Sequence, residues 1–251
     1  MAVIHATFFS ETLHKQVQMN VFTPNKGSGP FPVFYLLHGL SDDYTAWQRW
    51  TRLENYLGEL PLIVVMPDGF RGFYCDHVDG PEYAKYMLED VVGFVERTFP
   101  AMRTRAGRCI GGLSMGGYGA IHLALLRPEM FVSANSHSGA FWLGKALTDF
   151  IKIPEFAKVF GTKKEMITSP RNVYGQAGKL KRKGTKLPKL LIDCGVDDFL
   201  IQGNRDFHVH LEKLKIAHTY TEFPGAHTWD YWDIHIREAL AFHAKALGIG
   251  K

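Results

Sequence analysis

Residues 112–117 read Gly-Leu-Ser-Met-Gly-Gly, the pattern Gly-x-Ser-x-Gly in which a strand turns sharply into a helix with a serine at the tip. The flanks agree with that geometry, since 108–111 reads as a strand and 117–126 as a helix. Such a turn strains the serine backbone and demands glycines beside it, because a larger side chain would strike the adjacent strand and helix. A tight turn alone does not call for serine. Its hydroxyl is a weak nucleophile near neutral pH unless a base removes the proton, so Ser114 predicts a histidine and an acid further along the chain.

The rest of the chain has the strand-helix rhythm this turn requires. Segments 3–9 and 16–22 alternate partly and predict antiparallel lead-in strands, followed by a turn-rich break at 24–30. Val33–Leu37, Leu62–Met66 and Leu190–Cys194 are short continuous apolar runs, as expected of strands covered on both faces in a parallel sheet. Between them, Tyr83, Met87, Leu88, Val91, Val92, Val95 and Phe99 recur at helical spacing, and 207–214 and 231–247 repeat the pattern. All 251 residues are therefore expected to form one α/β domain with a mostly parallel central sheet flanked by helices. The segment 141–188, where aromatics mix with Pro154, Gly161, Pro170 and several lysines, reads as an irregular excursion or small cap above the sheet.

In an enzyme built this way the acid follows a late strand and the histidine precedes the last helix. Leu190–Cys194 runs into Gly195-Val196-Asp197-Asp198, and Phe223-Pro224-Gly225-Ala226-His227 ends a strand before the closing helix. His227 is thus the candidate base among twelve histidines. Asp193 lies within its strand, which leaves Asp197 and Asp198 on the loop where an orienting acid belongs. Acyl transfer also needs hydrogen-bond donors for the developing oxyanion, and the backbone N–H groups of Met115 and of Leu40, in the His38-Gly39-Leu40 loop, are the candidates. His208 and His210, two apart on a helical pattern, point in different directions, so no metal site is inferred.

Bulk properties narrow the field further. The net charge of +4 is concentrated at Lys179, Lys181, Arg182, Lys183 and Lys186, a stretch that reads as a solvated loop without interleaved aromatics, so neither nucleic acid nor a membrane surface is an expected partner. Three cysteines without a CxxC pair fit a reducing, cytoplasmic setting. The first ten residues lack the pattern of a secretory leader, and no window is apolar enough to span a bilayer.

With these residues in hand, the sequence resembles the putative-esterase branch of the α/β-hydrolases, which includes tributyrin-type esterases, S-formylglutathione hydrolases, feruloyl and acetylxylan esterases and mycolyltransferases. Its landmarks are Leu36-Leu37-His38-Gly39-Leu40, Val65-Met66-Pro67-Asp68, Gly72-Phe73-Tyr74-Cys75-Asp76, Gly112 to Gly119, Cys194 to Leu200 and Gly225-Ala226-His227-Thr228-Trp229-Asp230-Tyr231-Trp232, which together cover nearly the whole chain. The resemblance implies the α/β-hydrolase fold and a carboxylesterase for short-chain esters of small molecules, without a cofactor. Its Gly-x-x-Asp step selects Asp198 over Asp197 and its Gly-x-His-x-Trp segment selects His227. It also implies that Phe73, Tyr74, Trp229 and residues of 141–160 wall the pocket. The likeness is greatest to the tributyrin type. S-formylglutathione hydrolases carry a cysteine after the His-Gly-Leu loop and a histidine before the nucleophile, where this chain has Ser41-Asp42-Asp43 and Leu113. Acyl transfer to another alcohol and a catalytically silent binding role are the competing readings on the same fold.

Overall fold

The computed structural model describes residues 1–142 and 148–250. Among them, eight strands form a single sheet. β1 (Ala2–Ser10) and β2 (Lys15–Thr23) pair antiparallel, and β2 runs antiparallel to β4 (Ile63–Pro67). From there β4, β3 (Val33–Leu37), β5 (Arg108–Gly112), β6 (Ser133–His137), β7 (Lys189–Gly195) and β8 (Thr219–Phe223) lie side by side in that order, all parallel.

The continuous apolar runs are explained by helices on both faces of the sheet. Along β3, Val33, Tyr35 and Leu37 join one apolar layer while Phe34 and Leu36 join the other, and β4 divides Ile63 and Val65 from Val64 and Met66 in the same way. The first layer is covered by α3 (83–98), α4 (Met115–Leu126), α7 (Val173–Arg182) and α8 (Ile201–Lys213). The second is covered by α1 (Ala46–Trp50), α2 (Leu53–Leu57) and α9 (Trp229–Leu247). Each Val, Leu or Phe buried in these layers contributes about 1.5–3 kcal/mol. Helix α3 is α-helical at Tyr83–Lys85 and Val92–Thr98 but widens to a π-helix over Tyr86–Val91, which the apolar spacing did not predict.

Three further features differ from the sequence reading. The expected irregular excursion includes helices α5 (Pro154–Phe160), α6 (Lys163–Thr168) and α7, while 143–147 of that span lie outside the described residues. The basic stretch read as a loop begins inside α7, with Lys179, Lys181 and Arg182 in its last turn. One face of α7 buries Val173, Tyr174, Ala177 and Leu180, and cations favour the negative end of a helix, so the charges cap the helix instead of melting it.

Strand β6 went unread because its sequence, Ser-Ala-Asn-Ser-His, is polar, yet every residue is buried. Ser133, Asn135 Oδ1 and His137 Nδ1 are paired from distant parts of the chain. His243 meets Ser133 Oγ through Nδ1 at 2.8 Å and Asn135 Oδ1 through Nε2 at 2.9 Å. Asn135 Oδ1 accepts only, so the His243 proton sits on Nε2 and the Ser133 hydroxyl donates to Nδ1. Burial, helped by repulsion from His137, pushes the His243 pKa down to about 3, and burial pushes that of His122 in α4 down to about 4.

Both imidazoles stay neutral in the folded chain and take up protons on unfolding once the pH drops below the ordinary histidine value of 6.5. Their contribution to stability is therefore complete above that value and is lost progressively as the pH falls toward 4 and then 3. The expected slope is about 1.4 kcal/mol per pH unit for each histidine. Urea unfolding at pH 7, 6 and 5 measures it, and equal stability at all three values would contradict the assignment.

Candidate active site

Four neighbouring loops meet at the carboxyl ends of the parallel strands, where open α/β sheets place their ligands. They follow β3, β5, β7 and β8 and carry Leu40, Ser114, Asp198 and His227 respectively.

Ser114 connects β5 to α4 with φ 53° and ψ −116°, a conformation that costs a non-glycine residue on the order of 1–3 kcal/mol. Its surroundings hold it there. The Ser114 N–H donates to the carbonyl of His137 at 2.9 Å, and its own carbonyl accepts from the N–H groups of Tyr118 (3.0 Å) and Ala140 (3.1 Å). The flanking glycines are obligatory: a Cβ at Gly116 would stand 2.5 Å from the Leu37 carbonyl oxygen, and one at Gly112 would stand 2.7 Å from that same oxygen. Although Ser114 occupies the N-cap position of α4, its hydroxyl makes no bond to the helix.

That hydroxyl turns instead to His227, with Oγ 3.0 Å from Nε2. On the opposite side of the ring, Nδ1 lies 2.8 Å from Asp198 Oδ2. Asp198 Oδ1 accepts from the Leu200 N–H at 2.8 Å, so both carboxylate oxygens are engaged. Burial alone would raise the Asp198 pKa, but the hydrogen bonds from His227 and Leu200 and the attraction of the imidazole outweigh it and hold the carboxyl below its usual range. An ionised carboxylate can only accept. The His227 proton therefore sits on Nδ1, and Nε2 faces Ser114 as an acceptor. Phe199 and Trp232 hold the imidazole between them, with ring centroids 4.5 and 4.8 Å from its own.

Asp197, the alternative acid, is exposed. Asp193 is committed elsewhere: its Oδ2 pairs with His137 Nδ1 at 2.7 Å and its Oδ1 accepts from the Tyr231 hydroxyl at 2.9 Å, in the layer beneath the serine.

The backbone N–H groups of Leu40 and Met115 make no hydrogen bond among the described residues. Both residues border a cavity of about 380 Å³ that opens onto Ser114. Its walls are largely aromatic, with Phe73, Phe141, Trp142, Phe150, Phe156 and Phe199 contributing. Phe150 stacks between Trp142 (3.8 Å) and Phe156 (4.1 Å), and the edge of Phe73 meets all three. Phe73 itself has φ 51°, so a strained loop presents its ring to the cavity.

Of the three expected wall residues, Phe73 lines this cavity and Trp229 lines a smaller one on the His227 side. Tyr74 lines neither. It is fully buried, donates to the His38 carbonyl at 3.1 Å, and fills space left by Gly69 and Gly119, where a Cβ would stand 2.2 and 2.4 Å from its ring. The sequence reading also missed Arg71, whose guanidinium pairs with Glu155 at the start of α5 and donates to Ser41 Oγ at 2.9 Å. It ties the helix carrying Phe156 to the loop carrying Leu40.

The family model described as "Putative esterase" matches residues 10–243. The chain belongs to that esterase family. This esterase is 29% identical over 263 residues to an acetyl esterase of Caldicellulosiruptor saccharolyticus, spanning 98% of this chain and 99% of that one. Among solved structures, a substrate-bound, fluorophosphonate-binding serine hydrolase of Staphylococcus aureus is similar at 31% identity with a TM-score of 0.88, covering 96% of the esterase and 98% of that chain. An S-formylglutathione hydrolase from the same organism is similar at 31% identity and a TM-score of 0.85, with the same coverage. The esterase thus has the α/β-hydrolase fold and is an enzyme of the serine hydrolase class. No helix among its described residues is long and apolar enough to cross a membrane.

Proposed function

We infer that the chain is a serine carboxylesterase that hydrolyses short-chain acyl esters of small molecules. In this reading Ser114 Oγ attacks the ester carbonyl as His227 Nε2 takes its proton, and Asp198 holds the imidazole in the required tautomer. The N–H groups of Leu40 and Met115 receive the oxyanion. His227 then returns the proton to the departing alcohol, and water, deprotonated by the same ring, releases the acid from the acyl-serine. The chemistry needs no metal or cofactor. The observation that carries the reading is the hydrogen-bonded series from Asp198 through His227 to Ser114, at 2.8 and 3.0 Å, beside an aromatic cavity.

The lining by Phe141, Trp142 and Phe156 suits an apolar acyl group, and the likeness to an acetyl esterase favours a short one. The same reading takes the chain as one catalytic domain, with the described helices of 141–188 forming a cover over the cavity. Its three buried free cysteines support a cytoplasmic setting, where thiols stay reduced. Thioester hydrolysis is the second reading, favoured by the likeness to an S-formylglutathione hydrolase and opposed by Ser41-Asp42-Asp43 and Leu113 at the positions where the sequence departs from that group.

Hydrolysis of p-nitrophenyl esters from acetate to palmitate tests the assignment. The expected kcat/KM is highest from acetate to butyrate and falls with longer chains, which must push apart the stacked aromatic walls to enter. A maximum at palmitate, or no hydrolysis of any member by folded protein, would overturn it.

A further inference from the structure

A second cavity, of about 240 Å³, adjoins Ser114 on the side of His227 and is bordered by Gly39, Asp42, Leu113, His227 and Trp229, among others. Asp206 borders the aromatic cavity and Asp42 borders this one, where the carboxylate stands beside the serine. Asp42 is half-buried and forms no ion pair among the described residues. A Cβ placed on Gly39 would stand 3.0 Å from Asp42 Oδ2 and 3.7 Å from Ser114 Cβ, so the carboxylate and the serine border one small gap. Among the described residues, no lysine or arginine lines either cavity.

The proton decides which half of an ester each cavity takes. The base that removes the Ser114 proton must hand it to the leaving oxygen, so that oxygen and the alcohol it carries lie on the His227 side. His227 and Trp229 line the smaller cavity and not the aromatic one, which is left for the acyl group. An alcohol in the smaller cavity meets an indole ring and a carboxylate that can only accept hydrogen bonds when ionised. A hydroxyl on that alcohol finds an acceptor, whereas a negative charge finds a like charge with no lysine or arginine among the described lining residues.

We propose that this cavity is the alcohol subsite and that Asp42 selects neutral, hydroxyl-bearing alcohols against anionic leaving groups. The selection rests on the reading of Ser114 as nucleophile and His227 as base. It disfavours thiols that carry carboxylates, such as glutathione, and so bears on the thioester alternative.

The test compares two acetate esters of similar size, 2-hydroxyethyl acetate and O-acetylglycolate, whose alcohols differ by a hydroxyl against a carboxylate. The readout is the ratio of their kcat/KM values within each variant, from which general damage to the site cancels. Wild type is expected to favour the neutral ester, and Asp42→Asn to lower the ratio by about tenfold, the scale of a like-charge contact in a wet cavity. Asp42→Ser serves if the asparagine variant does not fold. Asp43→Asn is the control, since that carboxylate is held by Thr45 and Arg49 outside the cavity lining, and its ratio stays at the wild-type value. A ratio within twofold of wild type in the Asp42 variant, or an equal change in Asp43→Asn, overturns the proposal. If Ser114→Ala hydrolyses both esters at the wild-type rate, the nucleophile reading has failed instead.

Discussion

Ser114→Ala is expected to lower kcat for p-nitrophenyl acetate by roughly 10⁴–10⁶-fold with little change in KM, the loss seen when the nucleophile of such a group is removed. The bonds around the residue make the substitution unusually clean. Alanine keeps the Cβ and therefore the positive-φ backbone, and the main-chain bonds to His137, Tyr118 and Ala140 involve no side-chain atom of Ser114. The hydroxyl bonds to His227 Nε2, so its removal deletes the attacking atom and leaves the turn in place. A residual rate above that in water would come from the Leu40 and Met115 N–H groups and from substrate positioning. Side-by-side kinetics at equal folded concentration, with loss of fluorophosphonate labelling in the variant, checks the prediction. Retention of more than about one per cent of wild-type kcat would remove Ser114 from the role of nucleophile.

How much of this was legible in the sequence depended on whether each signal was local. β3, β4 and β7 could be read because burial on both faces leaves an unbroken apolar run, and the Ser114 turn could be read because its glycines are dictated by contacts within a few residues and with the neighbouring strand. β6 could not, since what makes Ser133, Asn135 and His137 tolerable in the core is His243 and Asp193, far away in the chain. Periodicity carries no trace of such partners. Helices α5 to α7 were hidden for a different reason: they are short, and prolines, glycines and lysines between them break the pattern that longer helices display. Among the site residues, the loops could be located but not the side-chain directions. Phe73 and Tyr74 are adjacent aromatics with nearly equal φ, yet one faces the cavity and the other fills the space between Gly69 and Gly119. Asp42 and Arg71 carried no motif at all; each matters because of what the fold brings beside it.

The acid provides the sharpest contrast between two adjacent residues. Asp198→Asn is expected to lower kcat/KM by about 10⁴-fold near neutral pH, whereas Asp197→Asn, on an exposed side chain, stays within about twofold of wild type. The large loss follows from hydrogen-bond polarity more than from charge. The Leu200 N–H donates to Oδ1 of Asp198, so an asparagine there would keep its carbonyl oxygen toward Leu200 and turn its amide NH₂ toward His227. That NH₂ donates to Nδ1, which moves the imidazole proton onto Nε2, the nitrogen that must be bare to accept the proton of Ser114. The geometry of the site would survive while the tautomer is reversed, so the loss should fall on kcat with KM nearly unchanged. Steady-state kinetics of the two variants separates the residues. A large loss in Asp197→Asn with Asp198→Asn near wild type would exchange their roles, and it would also require His227 Nδ1 to leave a carboxylate that now stands 2.8 Å away.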